Sequence, residues 1–157
     1  MHRAVRTPLL LLAATALFLS LPPCAEDVFH VDETVIFPAG GIGALKIEAG
    51  PVTFEEILIR NMPDAGDIAK AKSDPDDNCH PKLQVGMSNR ASAKMKVTLK
   101  VELLGDDGTV YMNCSRTDDV EPGATNDHTN LCWLSSMKTL DFPKVTKIRI
   151  IASVSPG

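Results

Sequence analysis

Hydrophobic and polar residues alternate strictly from Ala93 to Leu104, and this is the clearest pattern in the chain. Every second residue from Met95 to Leu103 is apolar, and the residues between them are lysine, threonine or glutamate. A period of two residues is typical of a β-strand with one buried face. The turn residues Gly105–Gly108 follow, and Thr109–Cys114 is then expected to return as the second strand of a hairpin.

The same period predicts further strands at 29–37, 44–48, 52–59, 83–87 and 145–154. Pro38–Gly43 reads as a glycine-rich turn. A helix is predicted only over Asp64–Lys72, where Asp64 follows Pro63 as a cap and Asp67 lies three residues further on. About seven strands separated by turns predict an all-β fold, an immunoglobulin-like β-sandwich with one short surface helix.

The first 25 residues differ from the rest of the chain. A positively charged start with Arg3 and Arg6 precedes the apolar run Leu9–Leu21, which is too short to span a bilayer comfortably. We therefore expect an export signal over 1–25, a single domain over 26–157, and a periplasmic or secreted protein. A lipid anchor on Cys24 is the alternative, but the prolines before that cysteine disfavour the processing that it needs.

The net negative charge of the chain disfavours some classes of binding partner. Removal of residues 1–25 takes away Arg3 and Arg6 and no acid, so 16 basic against 20 acidic residues become 14 against 20, a net charge of −6. An acidic surface with scattered lysines and arginines repels nucleic acid and anionic lipid headgroups. The expected partner is therefore a protein or another component of the cell envelope. No second apolar stretch is long enough to predict a membrane span.

Three cysteines remain after residue 25, in a compartment where disulfides form. We expect Cys114 to pair with Cys132 across a polar segment of 17 residues, because closing a loop of that size stabilises a fold by about 3 kcal/mol. Cys79 would then be free. Pairing of Cys79 with either of the others, or with a retained Cys24, stays open at this point.

Part of the chain resembles exported bacterial immunoglobulin-like domains of the FxLYD type. The resemblance covers about residues 83–125 and rests on Gly86–Asn89, the long strand to Leu104, the acidic turn Gly105–Gly108 and the later Glu121–Gly123. The Leu-Tyr-Asp signature of that family is replaced by Leu-Leu-Gly at 103–105. The resemblance implies a sandwich fold and export, and it implies no enzymatic activity.

The densest group of potential metal ligands lies in Asp74–His80. Its candidate ligands are Asp76, Asp77, Cys79 and His80, although a calcium loop of the EF-hand type is excluded because Cys79 stands where the turn needs glycine. A metal-binding protein is thus one alternative function. A thiol enzyme with Cys79 as nucleophile is a weaker one, since neighbouring Cys79 and His80 point to opposite sides of an extended chain.

The segment Ser115–Asn130 is the strongest candidate binding surface. It is interpreted as a polar loop whose ends are joined by the disulfide. A loop constrained in this way would lose less conformational entropy when it binds a partner. Its candidate binding residues are Asp118, Asp119, Glu121, Asp127 and His128. Since hydrolase, phosphate-binding and heme-attachment motifs are absent from the sequence, we expect a non-enzymatic binding or structural module of the envelope that needs no cofactor.

Overall fold

The computed structural model describes residues 28–132 and 135–157. The predicted export signal, with Cys24, lies outside these residues. The described strands are β1 (Phe29–Ile36), β2 (Ile42–Ala49), β3 (Val52–Arg60), β4 (Asn78–Cys79), β5 (Lys82–Asn89), β6 (Met95–Leu104), β7 (Val110–Val120), β8 (Asp127–Asn130), β9 (Met137–Lys138) and β10 (Lys147–Pro156). An α-helix, α1 (Ala65–Ala71), follows β3, and a 3₁₀ helix (Thr139–Lys144) follows β9.

Eight of these strands form two antiparallel sheets of four. The first sheet has the order β1-β10-β6-β7, the second has the order β2-β3-β5-β8, and the short strands β4 and β9 pair with each other. Apolar side chains from both large sheets form one core cluster, which includes Phe54, Ile57, Leu99 and Ile150. The all-β sandwich is therefore confirmed, with eight strands in its two large sheets in the described part of the chain.

The two central strands of the first sheet, β6 and β10, follow the sequence pattern closely. In β6 the apolar series from Met95 to Leu103 is buried, and β10 buries Ile148, Ile150, Ala152 and Val154 as the alternation requires. These two strands pair along their full lengths, from Lys147 opposite Leu104 to Pro156 opposite Met95. Strict alternation identifies such strands because each has one face in the core.

The interpretation of Ser115–Asn130 as a loop is wrong. Strand β7 does not end at Cys114 but continues to Val120, opposite β6, and β8 begins at Asp127, which leaves only a short turn between them. The side chains from Ser115 to Asp119 are polar and lack the apolar alternation that reveals a strand. Backbone pairing with β6 does not need apolar side chains, so the sheet extends where the pattern stops.

The predicted helix is confirmed, and a second helical segment was missed. Asp64 caps α1 through a reciprocal capping box with Asp67, in which each side chain accepts a hydrogen bond from the other residue's backbone N–H. The 3₁₀ helix at Thr139–Lys144 has six residues, too few to display a helical period in the sequence. Among the described residues, neither helix is long or apolar enough to cross a membrane.

Candidate binding cleft between the sheet edges

The disulfide joins the two sheets at one edge of the sandwich. Cys114 lies in β7, the last strand of the first sheet, and Cys132 follows β8, the last strand of the second. Their Cα atoms are 5.6 Å apart and both side chains are buried. The predicted pairing of Cys114 with Cys132 is confirmed, and Cys79 is the free cysteine among the described residues. The bridge holds the edges of β7 and β8 close together.

Polar side chains occupy inward-pointing positions on both of these edge strands. Residues opposite each other on neighbouring strands project to the same face of a sheet, so a residue paired with a core residue also faces inward. In β7 and β8 the residues paired with buried Leu99, Val97, Met87 and Val85 are, respectively, Arg116, Asp118, Asp127 and Thr129. The sandwich is thus apolar in its centre and polar between these two edges.

These residues line a cleft of about 240 Å³ between β7 and β8, which we call the edge cleft. Four of the five predicted binding residues lie on it, namely Asp118, Asp119, Asp127 and His128, together with Met87, Arg116, Val120, Thr129 and Asn130. Glu121 does not lie on it. Its carboxylate instead pairs with Lys94 at 2.8 Å, and Lys94 also approaches Asp119 at 3.6 Å. The segment therefore lines this cleft as parts of two strands rather than as one loop.

The acidic side chains of the edge cleft differ in their partners. Arg116 donates from Nε to Asp118 at 2.9 Å and from Nη1 to the carbonyl oxygen of Asn130 at 3.2 Å, which links β7 to β8. Asp118 is therefore neutralised by a neighbour on its own strand. Asp127 is exposed and has neither an ion pair nor a side-chain hydrogen bond with any described residue. It is the free negative charge of the cleft.

Thr129, also in the edge cleft, carries a buried hydroxyl without a partner in the described part of the chain. Its side chain is only 8% exposed, and its hydroxyl Oγ1 has no hydrogen-bond partner among the described residues. A buried hydroxyl without a partner costs about 1–3 kcal/mol relative to a satisfied one. Thr129 lies two residues from Asp127 on the same inward face of β8, and both residues line the edge cleft.

A polar cluster on the outer face of the second sheet anchors β8. The carboxylate of Glu56 accepts hydrogen bonds from Asn126 Nδ2 at 2.9 Å and from His128 Nε2 at 2.8 Å. The bonds from the Asn126 amide, the His128 ring and then the His128 charge lower the pKa of Glu56 below its usual value. The side chains meet over Gly86, which lies between Glu56 and His128 in the sheet.

Sequence reasoning missed this cluster because Glu56, Gly86 and Asn126 are far apart in the chain. A signal was present in Gly86, since a glycine inside a strand often marks a close approach by another group. A Cβ at residue 86 would overlap the side-chain oxygen of Asn126 and lie 3.2 Å from His128 Nε2. The absent side chain is what allows Asn126 and His128 to reach Glu56.

Two of the predicted metal ligands are used in other contacts. Asp76 pairs with Lys138, and Asp77 accepts a hydrogen bond from the Thr139 hydroxyl at 2.7 Å. Within residues 28–132 and 135–157, no three histidine, cysteine or acidic side chains are grouped closely enough to hold a metal ion. Asp76, Asp77, Cys79 and His80 therefore do not form such a group.

Cys79 lies in a different cleft, of about 340 Å³, which it shares with Asp77, His80, Thr139 and residues of α1. Its thiol is half-buried and approaches the carbonyl oxygen of Met137 at 3.7 Å. Burial, followed by the charges of Asp77 and Asp67, raises the pKa of the Cys79 thiol, although a hydrogen bond with Thr139 acts in the opposite direction. A raised pKa keeps the sulfur protonated at neutral pH, the reverse of what a nucleophilic cysteine needs.

Comparison of the chain with protein-family models and with curated proteins finds no match to either.

Proposed function

We propose that this protein is an exported, non-enzymatic binding module of the cell envelope that holds a protein partner at the edge cleft. The observation that carries the proposal is the set of polar side chains at inward-pointing positions of β7 and β8. Inward positions of a sandwich normally carry apolar residues that pack in its core. Arg116, Asp118, Asp127 and Thr129 depart from that rule together, at one place, beside the disulfide.

The surroundings of the edge cleft suit binding. Strand β8 pairs with β5 and strand β7 pairs with β6, and the disulfide fixes the separation of the two edges. A site on rigid strands loses little conformational entropy when a partner binds. The guanidinium group of Arg116 is hydrogen-bonded to the carboxylate of Asp118, so Asp127 is the single carboxylate of the cleft without a partner among the described residues. Catalysis by two carboxylates needs a pair of them, so this arrangement favours a binding site over such an enzyme.

Export is supported by the charged and apolar start of the sequence and is compatible with the disulfide, since such bonds persist in oxidising compartments. The resemblance to FxLYD-type domains points in the same direction and supports a module without catalysis.

Site-specific photo-crosslinking in the producing cells tests the proposal. A photoreactive amino acid replaces Asp119, an exposed residue of the edge cleft, and in a control it replaces Asp74, an exposed residue away from it. We expect a discrete crosslinked protein adduct at position 119 that is absent at position 74. An adduct that forms equally at both positions, or at neither, would overturn the proposal.

A further inference from the structure

We propose that the edge cleft binds a cationic side chain of the partner, an ammonium or guanidinium group, between Asp127 and Thr129. This inference rests on the proposed function and names the chemical group that the site recognises. The evidence is the combination of a carboxylate without a partner and a buried hydroxyl without a partner on one face of one short strand.

The charge of the cleft selects for cations. Asp118, Asp119 and Asp127 line it, and Arg116 is its sole lysine or arginine. Arg116 is already engaged by Asp118, and Asp119 lies within 3.6 Å of Lys94, so Asp127 remains the uncompensated charge. An anionic ligand would meet repulsion from it, whereas a cation would form a charge-assisted hydrogen bond.

Thr129 adds a second acceptor. Residues two apart on a strand lie about 7 Å apart on one face, which places Thr129 one step deeper along β8 than Asp127. A hydroxyl oxygen accepts hydrogen bonds, and ammonium and guanidinium groups carry several donors each. The Thr129 hydroxyl has no partner among the described residues of the free protein, and a cation bound beside Asp127 would bring donors close to it. Binding would thereby relieve an existing cost in the free protein.

The size of the cleft fits a side chain. Small-molecule and cofactor sites commonly occupy about 300–1,000 Å³. The edge cleft, at about 240 Å³, lies below that range. Its two acceptors are also held in place, because His128, between Asp127 and Thr129, is anchored to Glu56. Hydrogen-bond acceptors that are held in position before binding lose little entropy when they contact a single charged group, and this favours a specific contact.

Inward-pointing charges on edge strands also protect sheets from pairing with other chains. That role alone would explain why charged residues stand at the inward-pointing positions 116 and 118. The buried hydroxyl of Thr129, which has no partner among the described residues, gives no such protection. A cation-binding cleft should bind a soluble cationic peptide, whereas charges that only protect the sheet edges should not.

The test titrates the disulfide-bonded protein with the peptide acetyl-Ser-Thr-Lys-Thr-Ser-amide at low salt. Binding is measured from the changes in the backbone amide NMR chemical shifts of the protein. Matched peptides carry arginine or glutamine in place of lysine. We expect the lysine and arginine peptides to shift the signals of β7 and β8, and the glutamine peptide to bind at least about tenfold more weakly, the loss of one charge-assisted contact. Equal binding of the glutamine peptide would overturn the inference.

Variants locate the contact. Asp127→Asn should weaken binding of the lysine peptide by about tenfold, and Thr129→Val should weaken it while leaving the fold at least as stable. Asp74→Asn removes the same charge outside the cleft and should leave the affinity unchanged. Unchanged affinity in Asp127→Asn, or no peptide binding at all, would overturn the inference. The inward-pointing charges would then serve only to protect the sheet edges from pairing with other chains. A crosslink at position 119 in that case would preserve the proposed function and reject only the cationic ligand.

Discussion

His128 Nε2 lies 2.8 Å from Glu56 Oε1, although the two residues are separated by an intervening strand. Gly86 occupies the position between them, and its lack of a side chain leaves room for the His128 ring and the Asn126 amide. This contact ties β8 to β3 across β5. It thereby fixes the strand that carries Asp127 and Thr129 into the edge cleft.

Gly86→Ala should disrupt this cluster. The added Cβ would overlap Asn126 Oδ1, so the amide must move away from Glu56 and lose its hydrogen bond. We expect the free energy of unfolding to fall by about 1–3 kcal/mol, as for other overpacked sites. Urea denaturation measures this change. Gly40→Ala is the control, because a Cβ there has no atom within 4 Å, and an equal loss in both variants would contradict the explanation.

The lowered pKa of Glu56 predicts a dependence of stability on pH. Its pKa in the folded protein lies below the usual 4.5, so the carboxylate stabilises the fold above that pH and the contribution is lost as pH falls through the folded-state pKa. Glu56→Gln should therefore show a smaller loss of stability than the wild type between about pH 5 and pH 3. Thermal unfolding across this range measures the difference. Glu33→Gln, an exposed acid on β1, should retain the wild-type slope.

Removal of the disulfide should be costly. Cys114 and Cys132 are 18 residues apart in sequence, and closure of a loop of that length stabilises a fold by about 3 kcal/mol in the chain-entropy model. We expect the double variant Cys114→Ala/Cys132→Ala to lose about that much free energy of unfolding. Cys79→Ala controls for the loss of a thiol alone. A double variant as stable as the wild type would show that strand pairing alone holds the two edges.

Thr129→Val should stabilise the free protein. Valine has nearly the same shape and removes a buried hydroxyl that has no partner, so we expect a gain of about 1 kcal/mol in the free energy of unfolding. Thr117→Val is the matched control on β7, where the exposed Thr117 hydroxyl lies 3.0 Å from that of Thr98. A loss of stability in Thr129→Val comparable to or larger than that of the control would show that the hydroxyl is satisfied.

Cys79 should react slowly with iodoacetamide at neutral pH. Burial raises the pKa of its thiol, and the neutral thiol is a poor nucleophile. Intact mass after alkylation should show one disulfide and one slowly labelled cysteine, and labelling should accelerate on unfolding in urea. The same spectrum measures the N-terminus, which we expect at Glu26. Labelling that is as fast in the folded protein as in urea would instead indicate an activated Cys79.

The sheets were largely predictable from the chain, and the edge cleft was predictable only in part. Alternation identified β6 and β10 because each has one face in an apolar core. Asp118, Asp119, Asp127 and His128 were predicted as candidate binding residues from their polarity, and all four line the edge cleft, but the same polarity concealed the end of β7. Arg116 and Thr129 were not predicted as part of this cleft, since their place in it depends on which face of a strand they occupy.

The sequence by itself determined the strand-rich fold and the capped helix after Pro63, because these depend on local periodicity and capping along the chain. It favoured the pairing of Cys114 with Cys132, and the tertiary structure decided between that pairing and the alternatives with Cys79. Only the tertiary structure decided that β7 and β8 are the facing edges of two sheets, with Asp127 and Thr129 between them. It also decided that Glu56 meets His128 over Gly86. Strand order and register bring distant residues together, and neither is encoded in the pattern of any single segment.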